Sequence, residues 1–99
     1  MIRISYVYII TNNRNGTLYI GVTSDIEKRI SQHKLQEGSE FTSKYGLGEL
    51  VHLEEFSNIK DAIAREKALK KWNRNWKLKL IERTNPNWND LSGPPPTRG

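Results

Sequence analysis

Two runs of strand character open the chain. Residues 4–11 (Ile-Ser-Tyr-Val-Tyr-Ile-Ile-Thr) and 17–23 (Thr-Leu-Tyr-Ile-Gly-Val-Thr) are rich in β-branched and aromatic residues, which favour strands. The stretch between them ends in Asn15-Gly16. That dipeptide suits a type I′ turn, whose two central residues both need positive φ. A hairpin centred there pairs Arg14 with Thr17. Val7, Ile9, Leu18, Ile20 and Val22 then share one face, and Tyr6, Tyr8, Ile10, Tyr19, Gly21 and Thr23 share the other. The aliphatic face is the expected core. The second face, with phenols, a hydroxyl and a bare glycine, is the expected floor of a polar site.

After the hairpin the pattern becomes helical. Ser24-Asp25-Ile26-Glu27 reads as a capping box. It opens a helix to about Gln36 with Ile26 and Ile30 on its buried stripe. A loop over 38–48 leads to a third strand over 49–56. Ser57-Asn58 then caps a helix over about 59–72, and a shorter helix follows over about 74–82. Ile59, Ala62, Ile63, Glu66 and Leu69 fall on one face of the first of these. The expected class is α/β: a small, mainly antiparallel three-stranded sheet flanked by helices. One domain is expected over residues 1–91. The Pro-rich segment 92–99 contains too little apolar surface to join a core and is expected to be a disordered tail.

Composition narrows the function. A chain of 99 residues, 35% hydrophobic and 27% charged, suits a single small globular domain. No apolar run approaches the roughly 18 residues of a membrane span, and the N-terminus has no signal-peptide pattern. The absence of cysteine excludes disulfides, thiolate nucleophiles and cysteine-ligated zinc. It fits a reducing compartment, so a cytoplasmic location is expected. Two histidines, His33 and His52, are too few for a His-rich metal cage. The net charge is +5, and it is concentrated: residues 60–83 hold nine Lys or Arg against three acids, a net of +6. Such a local field suits a phosphate backbone. Trp72 and Trp76 interleave with it and are expected to pack into the core, leaving the lysines to nucleic acid.

Three side chains point to chemistry. Arg29 and His33 lie four apart, one turn from each other, at the edge of a buried stripe. A guanidinium there can grip two phosphate oxygens in a fixed fork. Glu66 interrupts the apolar stripe of the next helix. A carboxylate buried alone is costly, so it needs a partner, either a neighbouring Lys or Arg or a metal.

Together these residues resemble the GIY-YIG endonuclease family over about residues 4–91. Tyr19-Ile20-Gly21 matches the second family triplet letter for letter. Tyr6-Val7-Tyr8 departs from the first, keeping its functional tyrosine as Tyr8. Arg29, His33 and Glu66 follow in the family's order. The family's later Asn is assigned to Asn85, with Asn73, Asn75, Asn87 and Asn89 as alternatives. The resemblance implies a nuclease fold acting on DNA, with one divalent metal on Glu66; a monomer without an organic cofactor is expected. Hard oxygen ligation suits Mg²⁺ or Mn²⁺. Tyr8, helped by Tyr19, or else His33 is the implied base, and Arg29 the phosphate-neutralising cation. DNA contacts are expected from Lys67, Lys70, Lys71, Arg74 and Lys77, with Lys44 in the 38–48 loop. The alternative is a nucleic-acid-binding module that keeps the fold and cleaves poorly.

Overall fold

The computed structural model describes residues 4–14, 16–34 and 48–92. In order these form β1 (Ser5–Thr11), β2 (Leu18–Thr23), α1 (Ile26–Lys34), β3 (Glu49–Phe56), α2 (Ile59–Lys71) and α3 (Arg74–Thr84). The sheet order is β2-β1-β3 and both pairings are antiparallel. β1 is therefore central. Its run Val7-Tyr8-Ile9-Ile10 is at most 1% exposed, because side chains on both faces are covered.

Each face has its own cluster. Val7, Ile9, Ile20 and Val51 pack against Ala62 and Leu69 of α2, Leu80 and Ile81 of α3, and Trp88. This is the expected aliphatic core. The tyrosine face departs from expectation. Tyr8, Ile10 and Leu50 pack with Ile30 of α1, with Tyr19, Ile26 and Leu53 at the margin. It is a second, smaller core rather than an open polar floor.

The hairpin register also differs. Tyr8 stands opposite Gly21 and Thr11 opposite Leu18, so residues 12–17 form the connection in place of a two-residue turn. Side chains build this longer loop. Asn12 Oδ1 accepts from Thr17 N–H at 3.1 Å, and the Thr11 hydroxyl donates to the Asn13 carbonyl at 2.8 Å. The register moves by two residues from the expected pairing. The strand period is also two, so the face assignment survives.

Helix caps set the remaining boundaries. Asp25, rather than Ser24, caps α1: its carboxylate accepts from Lys28 N–H at 3.1 Å, the third residue of the helix. The Thr23 hydroxyl accepts from Asp25 N–H at 3.0 Å and fixes that geometry. Asn58 caps α2, as expected, and Asn73 caps α3. Ala62 and Leu69 are buried on α2, but Ile59 and Ile63 remain 42% and 37% exposed. The helix is rotated so that Arg65 and Glu66 flank the buried line instead. Each charge has a partner there: Glu54 for Arg65 and Lys70 for Glu66. Beyond α3, Trp88 reverses the chain at φ 57° and donates from Nε1 to Glu82 at 2.8 Å. Asp90 Oδ1 then accepts from Leu50 N–H at 3.1 Å, fastening this segment to β3. Among the described residues no helix is long and apolar enough to cross a membrane.

Candidate active site

The central strand delivers Tyr8 and its neighbour β2 delivers Tyr19. Their ring centroids lie 6.4 Å apart at an interplanar angle of 30°. Directly across from Tyr8, Gly21 leaves room for the phenol. A Cβ built on Gly21 would collide with Oη and Cζ of Tyr8. The glycine serves here as space.

Burial pushes the Tyr8 phenol far above the usual tyrosine range, and the neighbouring Tyr19 adds to the shift. Arg29 acts in the opposite direction, and Glu66 raises the pKa further. Groups from β1, β2, α1 and α2 thus share one electrostatic neighbourhood. A phenol serves as a base near neutral pH only where nearby positive charge lowers its pKa. Arg29 does pull that way, but desolvation outweighs it, so the phenol is neutral at ordinary pH.

Glu66 is largely removed from solvent, with its side chain 12% exposed. Lys70, one turn further along α2, places Nζ 2.6 Å from Oε2. The partner that a buried carboxylate requires is thus an ammonium in this structure. Among the described residues no group of three or more His, Cys, Asp or Glu is arranged to hold a metal. A single carboxylate, once freed from Lys70, suits a hard ion that keeps its waters and takes oxygens from a phosphate. It does not fit a closed zinc site, which needs four protein ligands.

The sequence pattern of the GIY-YIG catalytic domain matches residues 4–79, a span that contains Tyr8, Tyr19, Arg29 and Glu66. The chain belongs to the GIY-YIG family. It is similar to a UPF0213 protein of Clostridium perfringens, 42% identical over 77 residues that cover 78% of this chain and 82% of that one. A UPF0213 protein of Staphylococcus saprophyticus is 40% identical over 76 residues, covering 77% and 92%. Among solved structures, the solution NMR structure of a UPF0213 protein from Bacillus halodurans aligns with a TM-score of 0.56 and 27% identity. That alignment covers 90% of this chain and 94% of the other. GIY-YIG domains are typically nucleases and generally use divalent metals.

Among the positions assigned from the GIY-YIG resemblance, Asn85 has its amide engaged within the protein. It is 4% exposed, at the end of α3. Its Nδ2 donates to the Val51 carbonyl at 3.1 Å and the Asn89 carbonyl at 2.9 Å, while Oδ1 accepts from Asn89 N–H at 3.0 Å. Its amide is spent on joining the C-terminal segment to β3, and it lies beyond the matched GIY-YIG segment. His33 stands in α1, one turn after Arg29. Lys44 lies outside the described residues.

The basic segment divides by role. Lys70 is paired with Glu66, and Arg74 donates to the Gly16 carbonyl at 2.7 Å, tying α3 to the hairpin loop. Lys67 and Lys71 are exposed and Lys77 is half-exposed. Trp72 packs against the aliphatic cluster as expected. Trp76 does not: it is 56% exposed.

Sequence reasoning missed one network altogether. Glu54 accepts from Arg65 through Nε at 2.9 Å and a terminal nitrogen at 3.1 Å, with His52 Nε2 2.8 Å away. Burial alone would push the Glu54 carboxyl up, but the hydrogen bonds from Arg65 and His52 hold it below its ordinary value. The available signal was a carboxylate at a strand position whose side chain faces a helix.

Proposed function

We propose that this chain is a metal-dependent DNA endonuclease that hydrolyses phosphodiester bonds. One observation carries the reading: residues 4–79 match the GIY-YIG catalytic domain, and within that span the Glu66 carboxylate is largely buried on α2. Binding alone needs no carboxylate facing a phosphate.

Glu66 is the residue to hold Mg²⁺ or Mn²⁺, which when bound would neutralise charge on the scissile phosphate and its leaving oxygen. Arg29 grips the phosphate oxygens and stabilises the charge that develops there. Tyr8, neutral and preorganised over Gly21, donates a hydrogen bond that orients the phosphate or the attacking water. Tyr19 supports its ring. The upward shift of Tyr8 favours His33 over Tyr8 as the group that takes the proton from water, since a base must be unprotonated near working pH. Lys67, Lys71 and Lys77 contact the DNA backbone.

Nicking of supercoiled plasmid with and without Mg²⁺ or Mn²⁺ tests this reading. Metal-dependent nicking is expected from the wild type. Glu66→Gln should lose it while keeping its circular dichroism spectrum. A Gln variant within about tenfold of the parent, only about 1.4 kcal/mol in barrier, overturns the assignment. DNA binding without nicking in either metal would favour the weakly cleaving binding module. A panel of flap, fork, junction and duplex substrates then reads any preference for DNA structure.

A further inference from the structure

Trp76 lies in the first turn of α3 with 56% of its surface open. Its ring meets Trp72 edge-on, with centroids 5.7 Å apart at 89°. Trp72 is anchored in the aliphatic cluster, and the Arg65 guanidinium sits 5.2 Å from the centroid of its ring. Arg65 is in turn forked onto Glu54. A chain of contacts from β3 through α2 thus backs the exposed indole, so ordering it against a ligand loses little side-chain entropy.

Its surroundings select the ligand. The residues beside it on the chain are Asn73, Arg74, Asn75 and Lys77, and Lys71 ends the helix before. The first turn of α3 has no acidic residue. A protein-binding hot spot would place further apolar residues around an exposed tryptophan. Asn73 caps α3 and Arg74 is held by the Gly16 carbonyl, which leaves exposed Lys71 and half-exposed Lys77 as the cations nearest the indole in sequence. An open indole in so basic a segment matches nucleic acid, whose bases stack on the ring while its phosphates meet the cations. In intact duplex each base face is already covered by the next base pair. The indole can stack only on a base that is unpaired or turned out of the helix.

Resting on the reading of DNA as substrate, we propose that Trp76 is a base-stacking residue. It takes one unpaired nucleotide of bound DNA, with Lys71 and Lys77 on the neighbouring phosphates.

The test is binding measured by fluorescence anisotropy in EDTA, so that cleavage does not intervene. The two probes are a fully paired duplex and the same duplex with one bulged nucleotide. Wild type should favour the bulged DNA. Trp76→Ala should weaken binding to it about tenfold while changing the paired duplex by less than about twofold, and Trp76→Phe should keep most of the preference. Tryptophan emission of the wild type should be quenched by the bulged DNA, and that quenching should vanish in Trp76→Phe. If Trp76→Ala does not fold, Trp76→Gln replaces it, keeping a side chain without a ring. Equal losses on both DNAs, or no loss on either, overturns the stacking role and leaves the DNA reading intact. A wild type that binds neither probe overturns both.

Discussion

The phenol of Tyr8 occupies the space that a side chain on Gly21 would fill. The two residues face each other across the β1–β2 ladder. The glycine of the second signature triplet therefore acts through its partner, by leaving the space that the Tyr8 ring fills.

Gly21→Ala should displace that ring. The expected cost is about 1–3 kcal/mol of stability, the range for overpacking a closed core, together with loss of most nicking activity. A double-mutant cycle with Tyr8→Phe gives the check. If Gly21→Ala acts through the phenol, it should cost little further activity once the hydroxyl is gone. Additive losses would mean that Gly21 acts elsewhere.

Tyr8 should ionise well above the usual tyrosine range. Burial raises its folded-state pKa above the ordinary value near 10. The stability tied to the neutral phenol is complete below pH about 10 and is lost as pH rises from there toward the folded-state value. Alkaline titration followed by tyrosinate absorbance should show one group that ionises only as the protein unfolds. Tyr8→Phe should remove that step and flatten the fall in stability above pH about 10. A late step that persists in the variant would assign the buried phenol to another tyrosine.

Glu54→Gln should destabilise the domain by about 2 kcal/mol at neutral pH, between the values for exposed and fully buried ion pairs. The variant leaves Arg65 without its anion. The folded-state pKa of Glu54 is lowered, so its contribution is present above the unfolded value near 4.3 and is lost as pH falls through the folded value. Thermal melts should show that loss below pH about 4.3 in the wild type, with a shallower dependence in the variant.

Lys70→Met should tighten metal binding. An incoming ion at Glu66 must displace the ammonium 2.6 Å from Oε2. Lys70 is 55% exposed, so the pair is worth at most about 1 kcal/mol, or about fivefold in affinity. Electron paramagnetic resonance of Mn²⁺ titrated into wild type and variant measures the change directly. Weaker binding in the variant would show that Lys70 positions Glu66 for the ion.

Replacing Lys67, Lys71 and Lys77 together with Ala should weaken duplex and branched DNA alike. Each phosphate contact removed should reduce the slope of log affinity against log salt by about 0.9. Lys70 and Arg74 are left in place because both have partners within the protein. An unchanged slope would place the DNA path away from α2 and α3.

The elements themselves were legible in the sequence because local rules govern them. Strand-forming runs, the capping residues at 24–27 and 57–58 and helical spacing placed three strands and three helices to within about two residues of those in the described structure. Tyr8, Tyr19, Arg29 and Glu66 stood out by order and spacing. The hairpin register was wrong by two residues, yet its faces were right, because strand alternation has the same period. Tertiary structure decided what depends on distant partners. Asn12 and Thr11 outweighed the Asn-Gly dipeptide in shaping the loop. Glu54 of β3 holds Arg65 of α2 against the sheet, and Ile59 and Ile63 stay exposed. β3 claimed the amide of Asn85, and Trp72 filled the core site that Trp76 was expected to share. Helical periodicity gives the angle between side chains, but not the rotation of the helix against its sheet. That rotation depends on what the helix meets on the sheet, as Arg65 meets Glu54 of β3, and no local pattern encodes it.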